Sequence, residues 1–123
     1  MSSPVIDQHT FPYILIPPGA AKDLLKTEPL YVTWDSPEPS FDEINTLVKP
    51  LLDGGELERV RVWHRSTYLD MFVDECGHLK GLPLNPMATE IYHANVKRSF
   101  PLARTSTLPI VGPAVLFLKR VWY

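Results

Sequence analysis

The sequence predicts a small α+β domain: a mostly antiparallel sheet of about five or six strands, with one main helix and one short helix. Short β-prone runs recur between proline and glycine breaks, as in "FPYILIPPG" (11–19) and "LYVTW" (30–34). One stretch carries both a helix start signal and apolar residues at helical spacing. Two further runs flank a short polar link and read as a hairpin.

Residues 1–10 are expected as a flexible arm, and 11–123 as one domain. The first strand centres on Tyr13 to Ile16 and is stopped by Pro17, Pro18 and Gly19. Ala20 to Lys26 has room for a helical turn before the second strand, 30–34. Ser40 followed by Glu43 forms a capping box, in which each side chain satisfies a backbone amide of the other. Phe41, Ile44, Leu47, Val48 and Leu51 then make an apolar stripe. Pro50 removes a donor and should kink or tighten the last turn before Asp53-Gly54-Gly55 ends the helix.

"LERVRVWHR" and "YLDMFVDE" form the hairpin, with Ser66-Thr67 as its loop. That register opposes Arg65 to Tyr68, Trp63 to Asp70, Arg61 to Phe72 and Arg59 to Asp74. Val60, Val62, Leu69, Met71 and Val73 share the core face, leaving a charged and aromatic face outside. Ser66-Thr67 is poor chemistry for a two-residue turn, since neither residue favours positive φ, so a longer, bulged loop with the same faces is the alternative. Glu75-Cys76-Gly77 reads as a turn, "HLK" (78–80) as a short strand, and Asn85-Pro86 as a helix start with Ala88, Ile91 and Tyr92 buried, ending near Asn95. Residues 97–108 read as a basic irregular loop with Lys97, Arg98 and Arg104. "LPIVGPAVLFLKRVW" closes the chain, and Ala114 to Leu118, apolar on both faces, is placed as a central strand.

Composition narrows the function. A net charge of −2 argues against an electrostatic nucleic-acid binder. Thirteen prolines, about twice the average usage of ~5%, fall at turns and edges. The single cysteine, Cys76, fits a reducing compartment, and neither a leader pattern nor a membrane-length apolar run is present. A soluble, cytoplasmic protein without a membrane partner is expected.

Several residues invite a chemical reading. Cys76 and His78 supply only two ligands where zinc takes three or four, so no metal site is expected, and no cofactor. Asp74 and Glu75 would raise the Cys76 thiol pKa, which opposes a nucleophilic role. His64, His78 and His93 with Asp74 or Glu75 are the candidates for acid–base hydrolysis. Lys80 beside the helix start at Asn85 suggests an anion site, against the plainer role of Asn85 as a cap. On the outer hairpin face, Arg59, Arg61, Trp63, Arg65 and Phe72 form the principal binding candidate. Two large aromatics there require cover, from the chain itself or from a partner.

The stretch "VDECGHLKGLPLNPMATEIY" resembles the hallmark of the family called domain of unknown function 3846. The resemblance rests on Asp74, Glu75, Gly77, Gly81, Leu82, Pro83, Asn85 and Ala88. It extends to Pro18-Gly19, the helix at 41–52 and the closing "IVGPAVLF". It implies domain boundaries near 12 and 118 and a small accessory module of phages, plasmids and bacteria, and it transfers no catalytic residue. Cys76, the proline-rich connection before the helix and the loop at 97–108 depart from the family's pattern.

Two functions are therefore in play. The first is a non-enzymatic binding or regulatory module that engages a protein partner, or a second copy of itself, through a sheet face with Lys80 and Asn85 at its rim. The alternative is a small, nuclease-like hydrolase. Nucleic acid is the less favoured partner.

Overall fold

The computed structural model describes residues 8–99 and 108–122. Its strands are β1 (Thr10–Ile16), β2 (Leu30–Thr33), β3 (Leu57–His64), β4 (Thr67–Asp74) and β5 (Ala114–Phe117). Among the described residues these five form one sheet in the order β2-β1-β5-β4-β3, with every neighbouring pair antiparallel. The helices are α1 (Phe41–Leu51) and α2 (Pro86–Ser99). The α+β class and the central place of the closing strand are as the sequence predicts.

The sheet has a helix on each face. Ile14, Ile16, Val62, Met71 and Leu116 pack with Met87, Ala88 and Ile91 of α2. Phe11, Phe72, Val115 and Phe117 pack with Ile44, Val48 and Leu52 of α1. Alternation along β5 explains how one strand serves both layers: Ala114 and Leu116 face α2, and Val115 and Phe117 face α1. The single-sided sheet expected from the hairpin pattern is thus corrected. The arginines of β3 look like a solvent face in sequence, but Phe72 and the aromatics of β1 and β5 on that side are covered by α1 and the chain end.

α1 begins as its capping box dictates: Ser40 Oγ accepts from the Glu43 N–H at 3.1 Å, and Glu43 Oε1 accepts from the Ser40 N–H at 3.0 Å. Pro50 tightens the last turn, where the N–H groups of Leu52 and Asp53 reach the carbonyls of Lys49 and Pro50 at 3.1 Å. Asp53 and Gly54, with φ of 55° and 84°, then reverse the chain. Phe41 departs from the expected stripe and is 53% exposed.

The hairpin differs from prediction in register but not in face. Arg59 pairs with Phe72, Arg61 with Asp70, Trp63 with Tyr68 and His64 with Thr67. The loop is Arg65-Ser66, with φ of 50° and 65°, the two left-handed residues of a type I′ turn. A two-residue slip preserves both faces because side-chain alternation has period two.

Other boundaries move as well. β1 begins at Thr10, which is buried, inside the stretch expected as an arm; residues 1–7 lie outside the described part. Residues 22–26 are a single 3-10 turn. "HLK" is not a strand: the Lys80, Gly81 and Leu82 N–H groups bond to Cys76, His78 and Gly77, making consecutive turns. α2 runs past Asn95 to Ser99, so the expected loop at 97–108 starts as helix, and residues 100–107, including Arg104, lie outside the described residues. No helix among the described residues is long and apolar enough to cross a membrane.

Candidate functional site

β4 carries three consecutive side chains on its α1-facing side: Asp70, Phe72 and Asp74. All three are buried, so each charge requires a compensating partner. The two acids resolve this in different ways.

Asp74 closes the turn that follows it. Its Oδ1 accepts from the Cys76 N–H at 2.8 Å, and its Oδ2 takes the Lys80 ammonium at 2.7 Å. A side-chain Cβ at Gly55 would run into this carboxylate, so glycine there is a condition of the arrangement. Burial pushes the Asp74 pKa up, but the hydrogen bonds from Lys80 and Cys76 and the charge of Lys80 outweigh it and hold the pKa below its ordinary value. The same pair raises the Lys80 pKa, chiefly through the hydrogen bond.

Asp70 holds the chain end. Oδ1 accepts from Arg59 Nε at 2.8 Å, and Oδ2 accepts from the N–H groups of Val121 and Trp122 at 3.2 Å. These bonds lay Trp122 beside Phe72, with ring centroids 6.2 Å apart. The Arg59 guanidinium lies 5.5 Å from the Trp122 ring centre, and that of Arg61 lies 4.1 Å from the Tyr68 ring centre. Arg120 Nε bonds to the Trp122 carbonyl at 2.9 Å. Arg59, Arg61, Tyr68, Asp70, Arg120 and Trp122 line a recess of about 200 Å³.

The predicted binding residues divide. Arg59 and Arg61 meet in the recess. Trp63 packs edge-on against Tyr68 at 4.7 Å, at the hairpin end. Arg65 donates to the Leu25 carbonyl at 2.7 Å. Phe72 is fully buried against Phe117 and Trp122 and is a core residue, which corrects its place among surface contacts. Asn85 is the helix cap that the plainer reading gave, and only its place among binding residues is corrected: it is fully buried, donates to the carbonyls of Ile16 and Gly112 at 2.9 and 2.8 Å, and accepts from the Ala88 N–H at 3.1 Å. It is at once a helix cap and a tie between strand ends. Lys80 belongs to the Asp74 turn.

The histidines are separated. His64 lines a cavity of about 480 Å³ with Leu25, Met87 and Ile91. His93 lines another with Leu84, Pro86 and Thr89. His78 bonds through Nε2 to the Pro109 carbonyl at 2.8 Å, at a groove of about 450 Å³ that also contains Asp74 and Glu75. Burial first, then the charge of Arg65, lowers the His64 pKa. Among the described residues no group of three or more His, Cys, Asp or Glu is placed to hold a metal ion.

Arg120 and Trp122 escaped the sequence reading because they sit in the closing run, which looked like strand. The only sequence signal for them was an arginine and a tryptophan close together in an otherwise apolar tail. No family model, curated protein or solved structure matches the chain. The resemblance to domain of unknown function 3846 therefore rests on its residues.

Proposed function

We propose that this chain is a small non-enzymatic binding module that engages a protein partner through the arginine–aromatic recess, in place of an open sheet face. One observation carries the reading: Arg59, Arg61 and Arg120 converge with Tyr68 and Trp122 around a single recess. Arginine and large aromatics are the residues that dominate protein interfaces. Phe41 and Tyr68, 53% and 39% exposed, add apolar surface beside it. The half-buried single thiol of Cys76 supports a reducing, cytoplasmic setting.

The test compares tagged wild-type protein with an Arg61→Ser, Tyr68→Ala double variant, both expressed in the source cell and analysed by native mass spectrometry. The reading predicts a defined protein partner on the wild type and its loss from the folded variant. Equal capture by both places the interface elsewhere.

A second reading has its own observation: His78, Glu75 and Asp74 line one groove with Arg59 and Arg61. It supports a hydrolase only if His78→Ala with Glu75→Gln abolishes a measured turnover while the fold survives.

A further inference from the structure

We propose that the cavity between the 3-10 turn, the hairpin and α2 binds a small organic monocation, an apolar body that carries one amine. The site is separate from the arginine–aromatic recess and goes beyond the binding-module reading. It is bounded by Leu25 of the 3-10 turn, by Trp63 and His64 at the end of β3, and by Met87, Glu90 and Ile91 of α2. At about 480 Å³ it lies in the range of small-molecule sites, which are mostly apolar with a few placed polar groups.

The walls of this cavity are tied to one another. Arg65 donates to the Leu25 carbonyl at 2.7 Å and joins the hairpin loop to the 3-10 turn. Asn95 Nδ2 donates to the Arg61 carbonyl at 2.8 Å and joins α2 to β3. Asn85 caps α2 and holds its start to the carbonyls of Ile16 and Gly112. Leu25, Met87 and Ile91 belong to the core layer under α2, so packing that the fold itself requires sets the cavity floor. A ligand meets a formed site, which keeps the ordering cost of binding low.

Charge selects the occupant. Among the described residues Glu90 is the single carboxylate of the lining; it is exposed, forms no ion pair, and shares the lining with no lysine or arginine. The other titratable group, His64, has its Nε2 buried without a hydrogen-bond partner, and burial and then the charge of Arg65 lower its pKa. The imidazole is therefore neutral at neutral pH. A cation finds Glu90 and no opposing charge in the lining, whereas an anion is repelled. One carboxylate matches one positive charge, and a second would go unmatched. The adjoining recess of Leu84, His93 and Pro109 also reaches Glu90, but none of its lining belongs to the core layer.

The experiment titrates the full chain at neutral pH with three probes that share one ring and differ in charge: tryptamine, its neutral hydroxyl counterpart tryptophol, and indoleacetate. Tryptamine is expected to bind about fivefold more tightly than tryptophol, the worth of an exposed ion pair, and indoleacetate most weakly. Glu90→Gln should erase the difference between tryptamine and tryptophol and leave tryptophol unchanged. Ala94→Trp, at an exposed helix position in the lining, should abolish binding of both while circular dichroism shows an unchanged fold. In spectra of the wild type, tryptamine should shift the signals of Leu25, His64 and Met87. Equal affinity for the three probes, or no binding of tryptamine, overturns the proposal. So do shifts centred on Leu84 and His93, which put the amine in the adjoining recess. The arginine recess is tested apart from this, by partner capture, so either reading can fail while the other stands.

Discussion

Asp70 and Asp74 lie four residues apart on one face of one strand, and both are buried, yet they do different work. Asp74 meets one ammonium and one backbone amide inside a turn, so its charge is balanced where it stands. Asp70 organises the chain end, where it bonds Arg59 and, about fifty residues further along the sequence, the N–H groups of Val121 and Trp122. A buried acid can thus either close a local turn or tie a distant chain end to the sheet. The partners that fill its second oxygen tell which: an ammonium beside Asp74, two tail amides beside Asp70.

The largest effect should come from the residue between them. Phe72→Ala removes a fully buried ring from the α1-side core and should cost about 4 kcal/mol in urea unfolding. A cost under about 1 kcal/mol would return Phe72 to the surface. Next, Asp70→Ala strands two tail amides and the Arg59 charge and should cost about 3 kcal/mol, with quenching of Trp122 fluorescence altered as the tail detaches. Asp74→Ala loses one amide bond and an exposed cation's partner, so about 2 kcal/mol is expected, with no change in the tail signal.

The acids also separate by pH. Because the Asp74 pKa is lowered on folding, its contribution is present above the unfolded value of about 3.9 and is lost as pH falls through the folded one. Urea unfolding between pH 2 and 6 should therefore show an acid limb that Asp74→Asn flattens. His64 adds a gentler loss at higher pH: a base whose pKa is lowered on folding favours the unfolded state as pH drops below its ordinary value of about 6.5. His64→Phe should remove the part of the slope that lies between the two. Smallest of all, Arg61→Ser should change stability by less than about 0.5 kcal/mol, because it breaks no ion pair, and its effect should be confined to binding.

The fold was legible where local chemistry decided it. The capping box at Ser40 and Glu43, the Asn85-Pro86 helix start and the doubly apolar β5 each act within a few residues, and each is found as read. The hairpin register slipped because Arg65 and Ser66 adopt positive φ, which neither residue type favours; the pairing of eight residues on each strand overrides that preference. The second core layer was hidden for a different reason. Arg59, Arg61 and Asp70 share a face with Phe72, and in sequence that alternation reads as solvent. The contacts that cover it come from α1 and from Val121 and Trp122, around fifty residues further along. The hairpin side of the recess was legible, as Arg59, Arg61, Tyr68 and Asp70 on one face. Arg120 and Trp122 were not, since only the tertiary bond to Asp70 brings them there.

The most direct measurement follows the arginine side chains themselves. In nitrogen-15 spectra of the full chain, the Nε–H signals of Arg59, Arg61 and Arg120 should shift together as the protein partner captured from the source cell is added, while the backbone signals of Cys76 and Lys80 around Asp74 stay in place. Shifts centred on the Asp74 turn, or arginine signals that do not move while the partner binds, would contradict the claim that the arginine–aromatic recess is the binding site.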